Sequence, residues 1–295
     1  MIKTFLAVTF AFIFLFSLAF TNNVNADDKK QKKKKSGKKE KIVSKRINPS
    51  IISISLKINE LKADENFYGK PDKIASRWQV IINDIRKANL SRQDAIDSLN
   101  LFTNQLWDFM DKRIDAGVIK KYSDDEWIFP VRGYGPNAIG GRNGSGYIVG
   151  GFDFFDGSTG GHPAHDIFID DRDQDSRDDN TGEFVEILSM TGGIVIETRK
   201  NWTTDMMDIK GGNIVYVYDN FTNGLFYYAH MNDVYVSVGD FVEPGKPLGT
   251  LGRTGKNAYP SRSPTHLHIM YVRSYDGDLL PENIYNDLIK VKTIY

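Results

Sequence analysis

Beyond Trp127 the chain is written in short strands and Gly-rich turns. Residues 185–188, 194–198, 214–218, 225–228, 234–238 and 267–272 are runs rich in β-branched and aromatic residues, and Asn223-Gly224 sits between two of them as a hairpin turn. Strands spaced this closely, with no helix between them, argue for an antiparallel sheet. Upstream the period changes. Pro71 and Asp72 open a helix in which Ile74, Trp78, Ile81, Ile82 and Ile85 recur at helical spacing. Ser91 with Asp94 resembles a capping box for a second helix, with Ile96, Leu99, Phe102, Leu106, Phe109 and Met110 on its apolar face and Gly117 at its end. The expected fold class is mainly β, an antiparallel sheet domain preceded by a small α-helical region. The helical pair is either a small domain of its own or a segment packed on the downstream strands.

Onto the sheet region the sequence places all of its histidine. The five histidines are His162, His165, His230, His266 and His268. They form an H-x-x-x-D ending at Asp166, a Tyr-Tyr-Ala-His and an H-x-H, spread over little more than a hundred residues. Strand side chains alternate, so His266 and His268 point the same way while Leu267 turns to the core. His162 and Asp166 share a face if their segment is extended, and His230 projects from the end of an apolar strand. Imidazole and carboxylate are the usual ligands of a catalytic zinc, with three protein groups leaving one position for water. One metal ion would take His162, Asp166 and one member of the H-x-H pair, leaving the other beside His230 for proton handling near neutral pH. A zinc hydrolase is the first inference. Each histidine alone reads better as a hydrogen-bonded structural residue; together they do not.

The ends supply context. Lys3 precedes an apolar run from Phe5 to Phe20, and Val24 and Ala26 stand at small-residue cleavage positions. That is the layout of a secretory signal peptide, and the run is shorter than the roughly 18 residues of a spanning helix. The chain contains no cysteine, which excludes disulfides and a Cys-based zinc site. The formal net charge of zero is a composite. Residues 27–46 hold 11 Lys/Arg against 3 acids, a net of +8, whereas residues from 47 onward hold 26 basic and 35 acidic residues, a net of −9. The basic stretch has almost nothing to bury and is expected to be a disordered linker, with an anionic envelope polymer or membrane surface as its electrostatic partner. The export signal removes nucleic acid from the expected partners. The domain expectation is a signal peptide over 1–26, a basic linker over 27–58, a helical region over 59–120 and a catalytic domain over 125–290.

The stretch from Trp127 to Met270 resembles the lysostaphin/LytM-type zinc metallopeptidases, which cleave peptide bonds in bacterial peptidoglycan. The residues that carry the likeness are His162-Pro-Ala-His-Asp166, Gly211-Gly212-Asn213 before Ile214-Val-Tyr-Val, and Tyr227-Tyr228-Ala229-His230. Val238-Gly-Asp-Phe-Val242 with Gly245, Gly252-Arg-Thr-Gly255 and Pro264-Thr-His266-Leu-His268 complete it. The resemblance implies zinc on His162, Asp166 and His268, with His230 and His266 as the catalytic pair. It implies an exported endopeptidase, periplasmic or extracellular, acting on peptidoglycan or its peptides, without a membrane span once the signal is cut. The alternative is a non-catalytic wall-binding module or an activator of another hydrolase; relatives of that kind typically lack ligands, and here every position is filled. Ala164 and His165 depart from the family pattern, and alternation turns His165 away from the metal towards a structural role. The family's tyrosine near the first ligand has no counterpart among Phe152 to Asp156. The acidic run offers Asp171, Asp173, Asp175, Asp178 and Asp179 as candidate calcium ligands, by analogy with oxygen-ligand loops. The helical segment 59–117 is a candidate mask over the cleft.

Overall fold

A computed structural model describes residues 70–155 and 160–295. The expected signal peptide, the basic linker and the start of the helical region, through residue 69, lie outside the described residues.

Helix α1, Pro71–Arg86, opens with proline in its first turn and buries Ile74, Ala75, Trp78, Ile81, Ile82 and Ile85 along one face. Proline costs nothing there, because its missing N–H would have had no helical partner. Helix α2, Arg92–Asp115, is N-capped by Ser91, whose side chain accepts the Asp94 N–H at 3.2 Å. It stops where the sequence predicts. Gly117 adopts φ +68, its N–H reaches the Ile114 carbonyl at 2.9 Å, and the Val118 N–H reaches Arg113 at 2.8 Å. That pair of bonds satisfies carbonyls the helix end would otherwise strand.

The strands are β1 His165–Phe168, β2 Glu186–Leu188, β3 Gly193–Arg199, β4 Asn213–Asp219, β5 Gly224–Val234, β6 Phe241–Val242, β7 Pro247–Leu251, β8 His266–Tyr275 and β9 Asp278–Glu282. They form one sheet in the order β1-β8-β5-β4-β3-β6, with β9 also on β8 and β7 linking β5 to β2. Every named strand pairing is antiparallel, as expected. One expected strand fails. Residues 235–238 are not strand; β5 continues to Val234 and the chain then turns through Gly239 at φ +95 towards β6. Asn223, at φ +54, closes the β4–β5 turn as its sequence suggests, while Gly224 is already paired with Arg273. A stronger hairpin signal lies further along: Asp276-Gly277, at φ +51 and +90, joins β8 to β9 with two residues. Two successive positive φ values are what a type I′ loop demands, and Asp-Gly meets that demand.

Both faces of the sheet are covered. On one side Val215, Val217, Phe226, Tyr228, Leu267, Ile269 and Tyr271 join Trp127, Phe129 and Ile167 in a core. On the other, Ile194, Ile196, Ile214, Tyr216, Tyr218, Leu225, Met270 and Val272 share a second core with the buried faces of α1 and α2. All seven residues of β4 are buried as a result. The helical pair is therefore packed on the sheet rather than forming a separate domain. Trp78 is its anchor: it is fully buried, and its indole Nε1–H donates to Glu197 Oε2 on β3 at 2.7 Å.

Trp78→Ala is expected to cost about 3–5 kcal/mol, from cavity formation and a buried carboxylate deprived of its donor. Urea denaturation checks it, and a loss below about 1 kcal/mol would refute the anchoring role. A chain starting at Trp127 is expected to aggregate, because it exposes the second core's sheet face; a monomeric, cooperatively melting product would overturn that expectation.

Candidate metal centre

The centre lies where β1, β8 and β5 run side by side. Asp166 pairs with His268 across β1 and β8, and Ala229 pairs with His268 from the other side. Opposed residues in an antiparallel ladder share a face, so strand register alone sets the Asp166 carboxylate beside the His268 ring. His162 arrives from the turn before β1. Its Nε2 lies 3.1 Å from Asp166 Oδ1 and 3.1 Å from His268 Nδ1, and His268 Nδ1 lies 3.0 Å from Asp166 Oδ1. These distances come close to the roughly 3.3 Å edge of a tetrahedron whose metal bonds are about 2.0–2.1 Å.

Proton accounting favours a cation. His162 Nδ1 is 2.9 Å from the Gly146 carbonyl, which can only accept, so the neutral ring carries a lone pair on Nε2. Three electron-rich atoms thus converge, and a single proton on His268 Nδ1 can satisfy only one of its two neighbours. A divalent ion satisfies all three. His162, Asp166 and His268 form one of two groups among the described residues that could hold a metal. Without an ion, a second proton on the His162 ring takes its place: burial pushes the Asp166 carboxyl up, but hydrogen bonds from the protonated His162 and from His268 outweigh that and hold it far below the usual carboxylate range. The His162 ring is correspondingly raised, first by its bond to Asp166.

The other two rings flank this group. His230 and His266 have ring centroids 4.9 Å apart, and His230 lies 5.7 Å from His268. Each is oriented by a backbone carbonyl on Nδ1: Thr254 at 2.8 Å for His230 and Pro264 at 2.7 Å for His266. In both neutral rings Nε2 is therefore the nitrogen left to face a reactant. Burial lowers both, with the His266 and His268 rings adding to the effect on His230, which falls to about 3.

His230 sits in a strand yet has φ +66. Its N–H donates to the Gly211 carbonyl at 2.9 Å, and the β4–β5 register slips just beside it, between the Asn213–Met231 and Val215–Tyr228 pairs. A residue outside the ordinary β region redirects the side chain at a cost of about 1–3 kcal/mol. The glycines of the two flanking loops make the arrangement possible. Gly212 has φ +62, and a Cβ there would stand 2.3 Å from the Thr254 carbonyl carbon, the group that holds His230.

Of the residues singled out in the sequence, His162, Asp166, His230, His266 and His268 come together. His165 does not: it lies on the opposite face of β1, is 1 % exposed, bonds Asn283 through Nε2 at 3.0 Å and stacks on Tyr147. The acidic loop divides. Asp171, Asp173 and Asp175 lie close together, but Asp178 accepts from the Tyr134 hydroxyl and the Asn180 and Thr181 amides, and Asp179 faces the Arg172 amide. The five-residue calcium grouping is thus corrected to three at most. Asp171 is itself engaged by the Asp175 and Ser176 amides and by the Thr265 hydroxyl at 2.6 Å. The loop ties down the residue before His266 without requiring an ion, and beyond their proximity nothing supports calcium there.

A cavity of about 290 Å³ opens on the centre, lined by His162, His230 and His268 together with Phe152, Phe154, Tyr216 and Tyr227. Ile82, Ile85 and Arg86 of α1 complete its wall. Two phenols of the sheet, Tyr216 and Tyr227, line the cavity, Tyr227 through the alternation that also sets Ala229. The α1 contribution carried no local signal, since those isoleucines read as core. The helices flank the centre rather than cover it: among the described residues the His162, Asp166 and His268 side chains keep 32, 24 and 20 % exposure.

Residues 178–278 match Peptidase family M23, so the likeness to LytM-type peptidases read from the ordered motifs holds in that segment. The match includes His230, His266 and His268 and begins after Asp166. The search of curated proteins found no match. Among solved structures, the chain is similar to the catalytic domain of the antimicrobial peptidase lysostaphin from Staphylococcus simulans, at 21% identity over 44% of this chain and 80% of that one, TM-score 0.32. It is also similar to a lytM structure from Ruminococcus gnavus, at 22% identity over 70% and 76%, TM-score 0.39. A zinc containing peptidase from Vibrio cholerae matches at 18% identity over 56% and 39%, TM-score 0.33. Among the described residues no helix is long and apolar enough to cross a membrane.

Gly212→Ala is expected to destabilise the protein by more than about 1 kcal/mol, through both the positive φ and the clash with Thr254. Thermal melting measures it, and an unchanged midpoint would show that the two loops do not hold each other.

Proposed function

We propose that this chain is an exported zinc endopeptidase that hydrolyses peptide bonds of bacterial peptidoglycan. The observation that carries the reading is the convergence of His162 Nε2, Asp166 Oδ1 and His268 Nδ1 within 3.1 Å of one another at a solvent-reaching cavity, with two further carbonyl-oriented imidazoles beside them. The M23 match supports a peptidase, and the ordered motifs shared with lysostaphin/LytM-type enzymes suggest the substrate. The apolar N-terminal run with its small-residue cleavage positions supports export.

Zinc held by His162, Asp166 and His268 would supply Lewis acidity, polarising a peptide carbonyl and bringing the pKa of water down towards about 7. The remaining work falls to the chain. His230 and His266 are neutral at pH 7, and with Nδ1–H fixed on a carbonyl each offers Nε2 to accept a proton from the attacking water. Once protonated, that nitrogen becomes a donor to the developing oxyanion or to the departing amine. Burial disfavours keeping the proton, so its onward transfer to the amine is downhill. Phe152, Phe154 and Tyr227 give the peptide an apolar seat and thin the water around it.

The test pairs metal analysis with mass spectrometry of fragments released from defined muropeptides. His268→Ala is expected to lose both zinc and hydrolysis, whereas His266→Ala and His230→Ala retain zinc and lose at least about 100-fold in rate. Equal metal content in His268→Ala and His266→Ala would refute the ligand assignment. Intact muropeptides after incubation with zinc-loaded wild-type protein would refute the activity.

A further inference from the structure

We infer that Arg86, at the C-terminal end of α1, is a carboxylate-recognition residue of the cleft, and that the helical pair makes this protein selective for peptides carrying a carboxylate next to a small apolar residue. The inference rests on the peptidase reading and adds a substrate class to it.

Arg86 lines the same cavity as His162, His230 and His268, and it is half exposed. It is held electrostatically from below. Glu197 is buried on β3, accepts the Trp78 indole N–H at 2.7 Å and forms ion pairs with Arg86 and Arg199, each at 3.7 Å. Two guanidinium groups on one carboxylate leave a local charge of +1, and Lys210 adds another cation to the cavity lining. The cavity's own carboxylate, Asp153, is paired with Arg92. Among the described lining residues, the positive charge at this end of the cleft therefore has no further carboxylate to offset it. An arginine kept near the cleft by a buried acid, with half its surface open, presents a planar fork suited to a carboxylate. Beside it, Ile82 and Ile85 of α1 with Met270 and Phe154 form an apolar wall.

The arrangement also gives the helical pair a role other than masking. Arg86 and half of that apolar wall belong to α1, the helix that Trp78 fastens to the sheet. Specificity and stability thus share one element.

The test uses the full chain and three blocked peptides: acetyl-Ala-Glu-Ala-amide, acetyl-Ala-Gln-Ala-amide and acetyl-Ala-Gln-Ala with a free C-terminus. The first and third separate a side-chain from a main-chain carboxylate. Calorimetry is expected to show at least one acid bound about tenfold more tightly than the neutral peptide. Arg86→Met should collapse that ratio to near one, with Arg86→Lys intermediate, because a point charge replaces the fork. Arg199 and Trp78 remain on Glu197 in both variants, and native melting curves confirm folding. Equal wild-type affinity for all three peptides, or a ratio that survives Arg86→Met, would overturn the inference. Because the readout is binding, an absence of cleavage in the same samples bears on the hydrolase reading alone.

Discussion

Two-sided burial of the central strands is the constraint on which the rest depends. β4, β5 and β8 present alternate side chains to two cores, and beside the end of α1 one margin of the helix-covered face opens to a cavity. The centre occupies that margin. His268 and Met270 are neighbours on the same face of β8 and both reach the cleft, Met270 packing at the same time into the helical core. Sheet register, which brings Asp166 opposite His268 and Ala229 beside it, is enforced by hydrophobic burial over both faces, since a slip of one residue would exchange core for cleft along the whole strand. The ligand geometry is in that sense a by-product of packing.

A second layer of organisation is made by backbone carbonyls. Gly146, Thr254 and Pro264 each take one Nδ1–H, so three rings have their tautomer and orientation set by main chain rather than by other side chains. This explains why the surrounding sequence is dense in glycine and turn residues. Carbonyls can be aimed only if their loops approach one another closely, as Gly212 does with Thr254 and Gly255. Buried Arg253 serves the same end from another direction, gathering the Tyr259, Pro260 and Ser263 carbonyls and the Thr265 hydroxyl just before β8.

Much of this is legible in the amino-acid sequence. The five candidate site residues, the antiparallel sheet, both helix starts and the end of the second helix follow from periodicity, capping residues and the spacing of histidine. The features that escape do so for identifiable reasons. β1 and β7 are short, and β1 contains the ligand and His165 where an apolar run would have announced a strand. Residues 234–238 alternate like a strand, but after the Tyr235 amide bonds Leu248 the chain turns away through Gly239 at φ +95, and the ladder ends early. The unbroken apolar run of β4 does encode cover on both faces, although it cannot say which segment supplies it. Local pattern is likewise blind to a cleft wall built from Ile82 and Ile85, because burial in a core and burial beneath a substrate demand the same side chains. The acidic loop invites too large a grouping, since spacing along the chain says nothing about which carboxylates turn to Tyr134 or Arg172.

The left-handed backbone of His230 restricts what drift can do to this site. Asparagine, aspartate and glycine tolerate φ near +66, whereas β-branched residues do not. A lineage that abandons catalysis but keeps the fold is therefore steered towards a narrow alphabet at this position, and a valine or isoleucine there would signal that the bulge itself, not merely the chemistry, has been lost.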